Sequence, residues 1–182
     1  TLRFTLGVAR ILAGVHKARV IHKDIGPANL LIHPETLAPT LIDFNIASDV
    51  AQEVLGFTHQ SQIAGTLRYM APEQTGRTGR SVDQRADLYS LGVLLYELTT
   101  GRPPFEGEDL LDLIHDHLAR TPATPFELQP QTPPMLSSLI MHLLEKEPDR
   151  RYQSAEGLAQ DLARLQTALL AGDTTPFAFG QD

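Results

Sequence analysis

Three polar side chains stand beside short apolar runs of the sequence. Asp24 and Asn29 lie five residues apart in the stretch that leads into the apolar residues 30–32, and Asp43 directly follows the apolar residues 41–42. An aspartate is ionised at neutral pH, so it is suited to accept a proton from an attacking hydroxyl and to aim that hydroxyl. A single Asp or Asn in a turn is nevertheless more often a cap or an exposed loop residue. Their chemistry therefore has to be judged from the motifs around them.

Four motifs follow one another in a fixed order. They read IHKDIGPAN at 21–29, LIDFN at 41–45, GTLRYMAPE at 65–73 and DLYSLG at 87–92, the last followed by GRPPF at 101–105. Each motif alone is weak, whereas the whole series at these separations is specific. It closely resembles the C-terminal lobe of the eukaryotic-type serine/threonine protein kinases, over residues 1–170. The fold class implied is α+β, mainly α with a small β-hairpin.

The resemblance implies phosphoryl transfer from Mg-ATP to Ser/Thr hydroxyls of a protein substrate. Within a catalytic loop at 22–29, Asp24 would accept the proton of the attacking hydroxyl and Asn29 would coordinate a magnesium ion. Asp43 would bridge magnesium to the ATP phosphates. Magnesium prefers hard oxygen ligands, which a carboxylate and an amide supply. The hairpin between the two motifs would return Asn29 and Asp43 to the same edge.

Other residues match structural positions of that family. His22 and Phe44 match core positions that pack behind the catalytic groups, and Glu73 and Arg151 match a buried ion pair. Removing one partner of such a pair leaves an unpaired buried charge. Asp87 matches a carboxylate that accepts backbone N–H bonds from the catalytic loop. Without the resemblance, Asp87 would be interpreted as a first-turn carboxylate favoured by the helix dipole.

The activation segment corresponds to residues 43–73. Thr66 matches the threonine beside the catalytic Asp that accompanies Ser/Thr preference. Lys23 takes the place of the usual Arg, which can bind a phosphorylated activation loop, and a lysine lacks the planar fork that makes that clamp strong. For any other single hydroxyl of the segment, loop polarity is the simpler interpretation.

Three positions depart from the family pattern. Gly26 stands where serine/threonine kinases usually have a lysine that neutralises the transferred phosphate, and Ala28 carries no compensating charge. Losing one preorganised charge of this kind typically costs about 10²–10³ in rate. Asn45 replaces the glycine of the Asp-Phe-Gly triplet, which is a mild change because Asn tolerates left-handed backbone conformations.

The resemblance also predicts neighbouring modules. The 182 residues contain no Gly-rich phosphate loop and no strand lysine of the kind found in an N-lobe, so we expect the isolated fragment to be inactive and to expose an apolar face. Residues 171–182 read as a linker towards a following domain. The catalytic-loop wording and PFAFGQD at 176–182 resemble large bacterial proteins in which a kinase-like module precedes a P-loop ATPase and sensory and histidine-kinase modules.

Helices dominate the elements predicted to position these residues. The periodicity predicts helices over 1–20, about 88–98, 108–119, from Pro134 onwards, and from a Ser154 cap to Gly172. Strands are expected at 30–32 and 40–42, and loops at 45–70 and 122–134. Ser81 and Gln84 fit a capping box for the central helix, and Gly101 is expected to end that helix.

Composition excludes several classes of function. The chain has 22 acidic and 15 basic residues, a net charge of -7, which argues against non-specific nucleic-acid binding. The lack of cysteine removes disulfides and thiolate metal sites and is compatible with the cytoplasm. No apolar run is long enough to cross a bilayer. His115 and His117, two residues apart, would point about 200° apart on a helix, which predicts a solvated face rather than a metal site.

Two functions from different classes stay open. The first is an enzyme, the catalytic lobe of a signalling serine/threonine kinase, which Asp24, Asn29 and Asp43 favour. The alternative is a pseudokinase-like regulatory or nucleotide-binding module without transferase activity, which Gly26 and Ala28 favour. A purely helical interaction domain would leave the magnesium-binding pattern as a coincidence.

Overall fold

The computed structural model describes residues 1–44, 67–107 and 109–180. Within these ranges the order is α1 Leu2–Lys17, β1 Leu30–Ile32, β2 Pro39–Leu41, α2 Arg85–Thr100, α3 Leu110–Ala119, α4 Pro125–Leu128, α5 Pro134–Leu143 and α6 Ala155–Leu170. Short 3-10 turns lie at Pro27–Asn29, Pro72–Thr75 and Pro148–Arg150. The prediction of a mainly α fold with one small hairpin is confirmed.

Helix α2 forms the centre of the core. Residues 86–96 are all buried, as expected for a helix with apolar side chains on nearly every face. Gly92 lets α5 approach closely, because a Cβ at this position would lie 2.7 Å from the Leu143 Cβ. The helix ends at Gly101, whose φ of 80° is left-handed and whose N–H donates to the Glu97 carbonyl oxygen.

The start of α2 differs from the predicted capping box. Gln84 is the N-cap residue and makes no side-chain capping bond, so Ser81 and Gln84 do not cap the helix. Asp83 takes the role of acceptor instead: its Oδ1 accepts from the Arg85 N–H at 2.9 Å and from the Arg85 Nε at 3.0 Å. A carboxylate paired with the first arginine of the helix is a stronger acceptor than a serine hydroxyl or an amide. This explains why Asp83, and not Ser81, is the acceptor at the start of α2.

The hairpin and the outer helices pack around this centre. Leu30 pairs with Leu41 in the antiparallel hairpin. Strand β2 begins at Pro39, one residue before the predicted start of the second strand. Helix α1 packs mainly on α6, and β2 lies against α1. Ser154 caps α6 as predicted, since its side chain accepts from the Gly157 N–H at 3.0 Å.

The predicted loop at 122–134 contains a short helix, α4. Thr124 and Glu127 form the capping box there: the Thr124 side chain accepts from the Glu127 N–H, and the Glu127 carboxylate accepts from the Thr124 N–H. Pro125 occupies the first helical position, where its missing N–H costs nothing. The proline-rich composition of this stretch predicted a loop and did not indicate the capped helix.

Residues 176–180, within the range predicted as a linker, lie against α5 and α6. The Phe179 ring centroid is 5.5 Å from that of His142 and stacks on Tyr152 at 6.4 Å. The Gly180 N–H donates to the Asp161 carboxylate at 2.8 Å. The packed surface of the described chain therefore extends at least to Gly180.

His117 is buried, against the prediction of a solvated face for the His-Asp-His stretch. Its Nδ1 is 2.9 Å from the Tyr89 hydroxyl, and the Phe105 ring lies edge-on with centroids 5.0 Å apart. Burial and then the nearby Lys146 ammonium lower the pKa of His117 from 6.5 to about 3. His115 stays exposed on the same helix, so the expectation of no metal pair is unaffected.

The buried His117 predicts a pH dependence of stability. Between about pH 6.5 and pH 3 the unfolded chain binds a proton that the folded chain refuses, so the free energy of unfolding falls with decreasing pH. This contribution is absent above about pH 6.5 and reaches at most about 1.4 kcal/mol per pH unit below it. Urea denaturation of the wild type and His117→Gln between about pH 4 and pH 8 measures it. We expect the free energy of unfolding of His115→Gln to depend on pH as in the wild type. If His117→Gln leaves this pH dependence unchanged, His117 is not its source.

None of the helices in the described part of the chain is long and apolar enough to cross a bilayer.

Candidate active site

From the first turn of α2, Asp87 holds the start of the loop 22–29, which the family resemblance predicts to be the catalytic loop. Its Oδ2 accepts from the His22 N–H at 2.9 Å and its Oδ1 accepts from the Lys23 N–H at 2.7 Å. The carboxylate is fully buried, so both bonds form in a region of low dielectric constant, where they are stronger than in water. The loop is thereby attached to the most buried helix of the fold.

His16, at the end of α1, contacts the same carboxylate. Its Nε2 lies 2.8 Å from the Asp87 Oδ2, and only 7% of its side chain is exposed. None of the sequence motifs indicated a role for this residue. The available signal was a histidine in the last turn of an amphipathic helix, which by itself predicts only a favourable interaction with the helix dipole. His16 adds α1 to the elements that fix the catalytic loop.

The His22 ring connects the catalytic loop to the strand that precedes Asp43. The Asp24 N–H donates to Nδ1 at 3.3 Å, so the ring proton lies on Nε2, which donates to the Ile42 carbonyl oxygen at 3.0 Å. His22 is completely buried. The Phe44 ring lies edge-on to it with centroids 4.9 Å apart, but Phe44 is 46% exposed and is only partly packed.

Asn29 fixes the side chain of Asp24. Its Nδ2 donates to the Asp24 carbonyl oxygen and to the Asp24 Oδ2, both at 2.8 Å. Asn29 is 8% exposed, whereas Asp24 is only half-buried. The carboxylate is therefore held in one orientation while remaining open to solvent and to an incoming group. Because the amide nitrogen is used twice, the amide oxygen of Asn29 remains for another partner.

The hairpin brings Asp43 next to Asn29. The Ile42 N–H donates to the Asn29 carbonyl oxygen at 3.0 Å, so Asp43 directly follows the residue that contacts Asn29. Asp43 is exposed and has a φ of 60°, a left-handed value that non-glycine residues adopt rarely. No described residue donates a hydrogen bond to its carboxylate.

These donors fit a magnesium ion that keeps several other ligands. The Asn29 amide oxygen and the Asp43 carboxylate are hard oxygen donors on neighbouring residues of the hairpin, as magnesium prefers. No cluster of three or more His, Cys, Asp or Glu side chains suited to a metal occurs in the described ranges. A magnesium ion held here would therefore take its remaining ligands from water and phosphate oxygens.

The Glu73–Arg151 pair fixes the last residue of the predicted activation segment. Arg151 donates from both terminal nitrogens to the two carboxylate oxygens, at 2.7 and 2.8 Å, with both side chains almost completely buried. Arg151 also donates to the carbonyl oxygens of Glu145 and Lys146. The resulting bidentate contact joins the turn Pro72–Thr75 to the segment before α6.

Gly26 lies against the Tyr69 ring. A Cβ built on Gly26 would be 3.4 Å from the Tyr69 Cδ2, which is an ordinary van der Waals contact, and its φ of -169° is extended backbone that any residue can adopt. The Tyr69 hydroxyl donates to the Glu97 carboxylate, and burial, followed by this bond, raises the pKa of Tyr69. The site therefore has room for a Cβ at position 26.

An apolar face lies beside the loop 22–29. Leu31, Ile32, Leu37 and Leu98 are each about half exposed. A cavity of about 500 Å³ opens between α1, the hairpin and α2.

Two other predicted positions, Thr66 and Asn45, lie outside the described residues.

The chain matches a known family over most of its length. A model described as the protein kinase domain matches residues 2–162. The chain belongs to the protein kinase domain family. The match covers most of the chain and includes every element around Asp24 and Asn29, so the resemblance carried by the four motifs is confirmed.

Kinase relatives support the serine/threonine branch. A probable serine/threonine-protein kinase of Streptomyces coelicolor is 36% identical over 162 residues, covering 89% of this chain and 24% of the relative. The serine/threonine-protein kinase PknB of Mycolicibacterium smegmatis is 37% identical over 150 residues, covering 82% of this chain and 24% of that protein. The chain thus spans about a quarter of the length of these bacterial relatives.

A third relative has a different printed description. The hybrid signal transduction histidine kinase G of Dictyostelium discoideum is 43% identical over 134 residues, covering 70% of this chain and 4% of that protein. A kinase-domain segment of this type therefore occurs within a much longer protein named as a histidine kinase.

Proposed function

We propose that this lobe transfers the γ-phosphoryl group of Mg-ATP to Ser or Thr hydroxyls of a protein substrate. The observation that carries the proposal is the Asn29 amide, which fixes the Asp24 carboxylate, on a residue whose main-chain oxygen accepts from Ile42, next to Asp43. A fixed, solvent-accessible carboxylate is what accepting the hydroxyl proton and aiming the oxygen require. Bound magnesium would supply screening of the phosphate charge, with Asn29 and Asp43 as its protein ligands.

We propose three kinds of partner for the lobe: the protein substrate, an N-lobe, and a following ATPase or sensor module. The half-exposed leucines beside the catalytic loop support docking of an N-lobe that completes the ATP site, and without it the isolated lobe is expected to be inactive. The extent of the lobe is proposed as residues 1–170, followed by a connection over 171–182 towards an ATPase or sensor module, with residues 176–180 of the connection packed on the lobe. The similarity to a long hybrid histidine kinase supports that connection. A requirement for Mg-ATP supports a cytoplasmic location.

Labelled nucleotide separates this proposal from the pseudokinase alternative. The natural polypeptide that contains the chain is incubated with γ-labelled ATP and a panel of protein acceptors, with magnesium and with an excess of chelator. Label on Ser or Thr that requires magnesium supports the kinase. Nucleotide binding without any transfer supports the pseudokinase, which Gly26 and Ala28 favour.

Gly26→Lys is expected to raise the rate of transfer. The structure has room for the Cβ, and a lysine here would restore the cation that neutralises the transferred phosphate in the family pattern. Since losing such a charge costs about 10²–10³, we expect a gain of about 10-fold or more in kcat. Gly26→Ala is the matched control, because it adds the Cβ without the charge. A gain of equal size in both variants, or in neither, would contradict the electrostatic explanation.

A further inference from the structure

Lys23 has a backbone conformation that needs external support. It precedes Asp24, and its φ of 68° lies in the left-handed region, which a lysine adopts rarely. Such a conformation persists only where surrounding contacts over-determine it. The peptide group between Lys23 and Asp24 fixes the direction in which the Asp24 side chain leaves the backbone. The contacts that hold Lys23 therefore control the aim of the Asp24 carboxylate.

Two side chains hold Lys23 from different elements. Asp87 accepts from its N–H at 2.7 Å, and the Gln74 Nε2 donates to its carbonyl oxygen at 2.7 Å. The first contact has a counterpart in the family pattern described above, whereas Gln74 was singled out by none of the motifs. Its bond acts on the carbonyl of the peptide group that leads directly into Asp24.

Gln74 is itself held firmly. It is 6% exposed, and its Oε1 accepts from the Ala71 N–H at 3.0 Å, so both ends of its amide are used. It lies in the turn Pro72–Thr75, directly after Glu73, whose carboxylate is fixed by Arg151. Through its two hydrogen bonds, the Gln74 amide thus links the turn Pro72–Thr75 to the catalytic loop.

We propose that Gln74 is a positioning residue for phosphoryl transfer, which aims Asp24 by holding the Lys23 carbonyl. This inference rests on the proposed kinase function. The simpler interpretation is a buried glutamine that satisfies its own hydrogen bonds and contributes only to stability. The two interpretations differ in what removal of the amide does to kcat and to the catalytic loop.

Gln74→Met in the natural polypeptide tests the proposal, because methionine keeps the length but cannot make either bond. We expect kcat to fall by about 10- to 100-fold, as for a small misplacement of a catalytic group, with the KM for ATP changed by less than about twofold. We also expect faster amide hydrogen exchange at Lys23 and Asp24. Should this variant fail to fold, Gln74→Glu keeps the acceptor for Ala71 and sets a carboxylate oxygen against the Lys23 carbonyl.

Gln153→Met is the matched control. The Gln153 Nε2 also donates to two carbonyl oxygens, those of Pro148 and Arg151, but outside the catalytic loop. A similar loss of stability with unchanged kcat and unchanged exchange at 22–25 is expected for it. Equal effects of the two variants on kcat and on loop exchange would overturn the proposal. If the wild type transfers no phosphate, the kinase function fails, and the exchange comparison still decides whether Gln74 orders the loop.

Discussion

Asp24→Asn should lower the rate of phosphoryl transfer by about 10²- to 10⁴-fold, the range expected for loss of a positioned general base. An amide cannot take the proton of the attacking hydroxyl. The change is otherwise small, because Asn29 can still donate to the main-chain oxygen and to a side-chain oxygen at position 24. The measurement is kcat of the natural polypeptide with Mg-ATP and a protein acceptor.

The control for this prediction is Asp112→Asn. Asp112 is an exposed carboxylate in the first turn of α3 and contacts no residue of the catalytic loop. We expect it to keep the wild-type kcat, and we expect both variants to bind nucleotide as the wild type does. A rate for Asp24→Asn within about threefold of the wild type would remove Asp24 from the role of base.

Glu73→Ala should lower the free energy of unfolding by about 3–5 kcal/mol, since it leaves the Arg151 guanidinium buried without its counter-charge. Neither side chain of the pair is more than 1% exposed, so water cannot replace the carboxylate without local opening. The carbonyl oxygens that Arg151 also contacts satisfy its N–H groups but not its charge. Urea denaturation of the 182-residue chain measures the change.

An exposed ion pair supplies the comparison for Glu73. Glu147 pairs with Arg80 at 3.0 Å, with about half of each side chain exposed, so Glu147→Ala should cost no more than about 1 kcal/mol. The double variant Glu73→Ala/Arg151→Met should be more stable than Glu73→Ala alone, because it removes the unpaired charge. A cost for Glu73→Ala as small as that for Glu147→Ala would contradict a stabilising role for the buried pair.

The sequence was most informative where it carries a family motif or a strong local signal. The resemblance to the kinase family predicted the hairpin and the pair Glu73–Arg151, whose members are 78 residues apart. Helix ends with strong local signals were also predictable: Gly101 and Ser154 lie where expected. At these two helix ends the residue type itself determines the backbone conformation or the hydrogen bond.

The predictions failed where distant parts of the chain decide between equivalent local choices. Asp83 takes the role predicted for Ser81 because Arg85 pairs with it, and His117 is buried because Tyr89 and Phe105 cover that face of α3. Helical spacing predicts the side of α3 on which His117 lies, but it does not predict which residues pack against that side. Gln74 illustrates the same limit, because its partner Lys23 is 51 residues away and nothing in the local sequence names it.

Transfer of labelled phosphate by the wild-type polypeptide tests the central claim most directly. In a single-turnover reaction with γ-labelled Mg-ATP, the label should appear as acid-stable phosphoserine or phosphothreonine in protein, in step with the ADP released. The same label should be almost absent with Asp24→Asn. Bound ATP that stays intact with the wild-type polypeptide, or equal labelling by the wild type and Asp24→Asn, would contradict the account of Asp24, Asn29 and Asp43 as a phosphoryl-transfer site.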